Sequence, residues 1–68
     1  MTREEFENKV VIEVKDFARM ASEKDIRKCM AEIIEWVDEA WEKIHMPEHR
    51  NHVDSIIATL SFNLGMMV

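Results

Sequence analysis

The residues best equipped for chemistry lie between positions 45 and 52, where His45, Glu48, His49 and His52 fall close together. Imidazole nitrogens and carboxylate oxygens are ordinary ligands of zinc and other transition metals. His45-Met46-Pro47-Glu48-His49 even spells His-x-x-Glu-His. That order holds a metal when both imidazoles stand one turn apart on a continuous helix. Pro47 sits inside it and interrupts such a helix, so the match is formal. His49 and His52, three apart on a new helix, keep a spacing that lets them share a metal with Glu48. The plainer explanation is a polar helix junction, with His45 near a helix C-terminus, where positive charge is favoured. The expectation is no cofactor, with these four residues as the metal candidates.

The remaining reactive side chains assemble no catalytic set. Cys29 is the only cysteine, so no intrachain disulfide forms, and its place in an apolar arc fits a buried, inert thiol. Gly65 is the only glycine, which excludes a glycine-rich phosphate loop. Ser55 and Ser61 have no nucleophile-elbow context. Glu13 falls at the edge of an apolar stripe. Without acid, base and nucleophile at matching positions, a non-catalytic protein is expected.

Nine basic residues against fourteen acidic ones give a net charge of −5. Binding along a phosphate backbone needs a positive footprint, so nucleic acid is a disfavoured partner despite the local group Arg19, Lys24, Arg27 and Lys28. Glu32, Glu35, Asp38, Glu39 and Glu42 share one side of their helix. A solvated face is the ordinary account of such a ridge. The sharper one is a docking face for a protein with a basic surface, as in an acidic inhibitor of a nucleic-acid-binding enzyme of the kind that viruses and mobile elements encode.

Three helices can position these groups. Thr2 and Glu5 form a Thr-x-x-Glu capping box. Phe6, Val10, Val14, Phe17 and Ala21 then recur at helical spacing with Met20 alongside, predicting a helix over 3–21. The β-branched run Val10-Val11-Ile12-Glu13-Val14 competes as a strand. Ser22 offers a second N-cap and marks a turn. Ile26, Cys29, Met30, Ile33, Val37, Ala40, Trp41 and Ile44 form a long stripe, flanked by Ile34 and Trp36, that predicts a helix over 23–45. Its arc is wider than one neighbour needs. Pro47 ends that helix and suits the first position of a third, over 47–64, with Val53, Ile56, Ile57, Leu60 and Leu64 inward and Gly65 as C-cap. From Thr59 onward the alternation of apolar and polar residues also allows a strand. The fold expected is all-α: a small antiparallel three-helix bundle, one domain over 1–68, completed by oligomerisation.

The reason to invoke oligomerisation is surplus apolar surface. Ser55, Ala58, Thr59, Phe62 and Met66 fall on the outer side of the third helix, Ile12 points away from the first stripe, and Met67 follows. A chain this short is poor in core, and apolar residues gathered at one end suit an interface. The function expected is therefore a protein-binding module, a small regulator, inhibitor or subunit, that associates with itself through Ile12, Ala58, Phe62, Met66 and Met67. The stretch Ser55 to Val68 is too short and too polar to span a bilayer. One thiol, six methionines and a charged acidic start fit a cytoplasmic location.

Overall fold

The computed structural model describes residues 1–68. Helix α1 spans Arg3–Phe17 and opens on the expected capping box. The Glu5 amide donates to Thr2 Oγ1 and the Thr2 amide donates to Glu5 Oε1, both at 3.1 Å. These bonds satisfy amides that the first helical turn leaves free. They hold the Glu5 carboxyl below the usual carboxylate range, the Thr2 backbone amide being the main cause and its hydroxyl the second.

Helix α1 stops at Phe17, short of the expected 21. Ala18 leaves the helical region at φ −107°, ψ 64°. Ala18 to Ala21 form the reversal, closed by the Ala21 amide on the Ala18 carbonyl at 3.0 Å. Two antiparallel helices need such a connection, and the residues given to it cannot also extend the first helix. Ser22 then caps α2 (Glu23–Glu32), its Oγ accepting the Asp25 amide at 3.1 Å.

The predicted continuous helix over 23–45 is two helices, α2 and α3 (Ile34–Lys43), separated by Ile33 at φ −112°, ψ 38°. The Ile33 amide still reaches Cys29, and the Val37 amide reaches Ile33, so the ladder resumes at once. The physical reason lies in the width of the stripe. Ile26 and Met30 of α2, and Val37 and Ala40 of α3, all enter one core that is shared with two neighbouring helices.

The third predicted helix also starts later. Met46 is extended (φ −78°, ψ 133°) ahead of Pro47, as pre-proline residues prefer. Pro47–His52 winds as a 3₁₀ segment with no buried residue. Helix α4 begins at Val53, where the apolar stripe begins, and runs through Gly65 to Met67. Gly65 is thus not a C-cap, and its φ is negative. It serves a close approach instead: a Cβ there would lie 1.9 Å from Cε2 of Phe17. Neither candidate strand forms.

Side-chain pairings fix the topology. Arg3 bonds Asp38 and Arg27 bonds Asn8, both at 2.7 Å, so α1 runs against the α2–α3 arm. Lys9 pairs with Asp54 at 3.2 Å and Phe17 meets Phe62, so α1 and α4 run the same way. The result is an all-α, up-down-up three-helix bundle with a broken middle arm. Phe6, Val10, Val11 and Val14 of α1 and Ile57, Leu60 and Leu64 of α4 complete its core. Ser61 is also fully buried, its hydroxyl donating to the Ile57 carbonyl at 2.8 Å.

Candidate interaction surface

Helix α4 carries two stripes. The inner one fills the core. The outer one, Ser55, Ala58, Thr59, Phe62 and Met66, is exposed along its whole length. Its spacing of i, i+3, i+4, i+7 and i+11 is that of a face made to pack on something. No charged residue occurs from Ser55 to Val68, in a chain that is 34% charged. Phe62 is 59% and Met66 73% exposed.

Two aromatic side chains flank this stripe. On the α1 side, Phe17 is half-exposed, with its ring against Gly65 and 6.2 Å from that of Phe62. On the α3 side, half-exposed Trp36 walls a groove of about 310 Å³. Ala40, Ile56 and Leu60 line its apolar part, and Ser55, Thr59 and Asn63 form its α4 side. Lys43 and Glu39 at its rim are paired with each other at 2.9 Å. The Thr59 hydroxyl donates to the Ser55 carbonyl at 2.9 Å.

At the end of the bundle, Met20, Met67 and Val68 are exposed beside Ala18, Ala21 and half-buried Cys29 around an open cavity of about 660 Å³. Arg19, Lys28, Asp25 and Glu32 line the same cavity, so its edge carries both signs of charge.

Among the expected interface residues, Phe62, Ala58 and Met66 thus share one face, and exposed Met67 lies at the end of the same helix. Ile12 does not join them. It is 61% exposed on α1, with Asn8, Lys9, Lys15 and Asp16 as its helical neighbours. Phe17 and Trp36 were missed as surface residues because both belong to, or flank, a core stripe in the sequence. Phe17 becomes exposed because its helix ends on it. Trp36 becomes exposed because it lies beside Val37 and not on the buried line through Val37 and Ala40.

The acidic ridge is partly neutralised. Arg3 holds Asp38 at 2.7 Å and Lys43 holds Glu39 at 2.9 Å. Glu7 first, then Asp38, keep the Arg3 guanidinium pKa above its ordinary value. Glu35 and Glu42 remain on α3, while Glu32 sits across the Ile33 break on α2. Among the basic group, Arg27 is bonded to Glu23 and Asn8. In the histidine cluster, His45 Nδ1 donates to the Trp41 carbonyl at 2.8 Å, and its ring lies edge-on to Trp41 at 4.3 Å. His45 precedes the 3₁₀ segment that carries Glu48, His49 and His52, and no three potential metal ligands of the chain converge on one point. No helix is long and apolar enough to cross a membrane.

The fold and this surface define an all-α bundle with an unpartnered, uncharged outer helix face. No family model, no curated protein and no solved structure matches the chain.

Proposed function

We propose that the chain is a non-catalytic protein-binding module that associates with itself through the outer face of α4, acting as a small subunit or regulator. One observation carries this reading: α4 is uncharged on every side from Ser55 on, yet half of its circumference faces solvent. An exposed helix face ordinarily carries charged residues, and this one offers only Ser55 and Thr59 as polar groups.

The area supports the same reading. Aromatic side chains bury about 150–250 Å² when fully enclosed. Scaled by exposure, Phe17, Trp36, Phe62 and Met66 together leave on the order of 500 Å² of apolar surface. The exposed Ser55, Ala58 and Thr59 between them bring the face near the roughly 800 Å² that each partner contributes to a standard interface.

The acidic-inhibitor reading draws less support, since two of its five ridge residues already have cationic partners within the chain. The experiment is the molar mass in solution across a wide concentration range, for the parent chain and for Phe62→Glu. Association that is lost in the variant, with helicity retained, supports the proposal. A monomeric parent chain at all concentrations overturns it.

A further inference from the structure

We infer that the second copy docks antiparallel on α4, across a two-fold axis level with residues 60 and 61, so that Ser55 of each copy faces Met66 of the other and Thr59 faces Phe62. The inference rests on the self-association proposed above and adds its geometry.

The outer face is graded in size. Its N-terminal half carries Ser55, Ala58 and Thr59; its C-terminal half carries Phe62 and Met66. A parallel pair would stack Phe62 on Phe62 and leave a gap between the small halves. An antiparallel pair sets each large side chain over a small one, which holds the helix axes at a uniform ~8–10 Å and fills the space at interior density. The face also has an aromatic wall on each side. Phe17 stands beside Phe62 and Gly65 on the α1 side, and Trp36 walls the groove lined by Ser55, Thr59 and Asn63 on the α3 side. The slender half of a second α4 fits between them.

The groove between α3 and α4 gives the incoming Phe62 a place to go. It opens on Ser55 and Thr59, the residues that antiparallel pairing sets opposite Met66 and Phe62 of the other copy, and its volume of about 310 Å³ admits a phenyl ring. Burial there meets little resistance. The Thr59 hydroxyl already has a backbone acceptor, and the flanking charges are paired as Lys43 with Glu39 and Lys9 with Asp54. Contact through one patch on both copies closes the assembly at two.

Disulfide trapping tests this. In a Cys29→Ser background, Ser55→Cys and Met66→Cys are made singly and together. The two positions are eleven residues apart on one helix, about 16 Å, far beyond the ~7 Å limit between Cα atoms of a disulfide, so any bond between them joins two chains. The double variant is expected to become a covalent dimer on mild oxidation at micromolar concentration, while each single variant stays unlinked. Linkage of Ser55→Cys alone would mean parallel helices and overturn the inference. So would a parent chain that is dimeric by light scattering while the double variant, helical by circular dichroism, does not link; in that case self-association stands and only this geometry falls. A monomeric parent chain removes both. Thr59→Arg provides a second measurement: it must dissociate the dimer as Phe62→Glu does, and retention of the dimer contradicts the pairing.

Discussion

Gly65→Ala is the substitution whose sign depends most directly on the structure. In a helix, replacing Gly by Ala ordinarily stabilises by up to about 1 kcal/mol, less near an end. Here the new methyl would sit 1.9 Å from Cε2, 2.8 Å from Cδ2 and 2.9 Å from Cζ of Phe17. The ring must swing aside, because no neighbour tolerates such contact, and as the far end of a half-exposed side chain it has room to do so. Phe17 is 51% exposed, so roughly half its area, on the order of 100 Å², is covered. At ~25 cal/mol per Å², uncovering all of it would cost about 2.5 kcal/mol, a ceiling for a ring that only swings aside, and separation from Phe62 adds about 0.5 kcal/mol or more. With part of that cover kept, the loss still exceeds the helix gain, so Gly65→Ala is expected to destabilise by up to about 2 kcal/mol in urea unfolding. In a Phe17→Ala background the obstruction is gone and the same substitution should stabilise by a few tenths to about 1 kcal/mol. A Gly65→Ala chain that is as stable as the parent, or a double-mutant cycle without coupling, would refute the placement of Phe17 on Gly65.

Ser61 is fully enclosed, so Ser61→Leu forces extra volume into a closed core and should destabilise by about 1–3 kcal/mol in urea unfolding. Ser22→Ala removes the acceptor for the Asp25 amide at the start of α2 and should lower stability by about 1 kcal/mol in the same assay. Glu5 bears on pH dependence. Its carboxyl is held below the usual range by the Thr2 amide, so it stabilises the folded chain above the unfolded pKa, and that contribution is lost as pH falls through the lower folded value. Thermal midpoints of the parent and Glu5→Gln should therefore differ near neutrality and converge below the ordinary glutamate pKa of about 4.3; a gap that is constant with pH would contradict the cap geometry.

Much of the bundle is legible in the sequence because local signals and the core stripe agree. Thr2 with Glu5, Ser22 with Asp25, and Pro47 each mark a boundary by their own hydrogen-bonding chemistry. Breaks that no such residue announces are not legible. The interruption at Ile33 involves neither glycine nor proline, and it arises where one wide stripe meets two neighbours. Gly65 misleads for a related reason: its lack of a Cβ admits a ring from another helix, a tertiary requirement that resembles a cap signal in one dimension. The outer stripe of α4 is readable as spacing, since Ser55, Ala58, Thr59, Phe62 and Met66 recur on one side. Its flanking walls are not, because Phe17 and Trp36 come from other helices and share no sequence register with it. Ile12 carries the same outward phase on α1, but phase alone does not bring it to α4.

Light scattering during size-exclusion chromatography, on the parent chain and on Phe62→Glu, reads directly whether the chain associates through the outer face of α4. The parent chain should shift with concentration from 8.1 kDa toward twice that mass, and Phe62→Glu should not, with its helicity unchanged. A parent chain that holds its monomer mass at millimolar concentration, or a Phe62→Glu chain that associates as the parent does, would contradict association through this face.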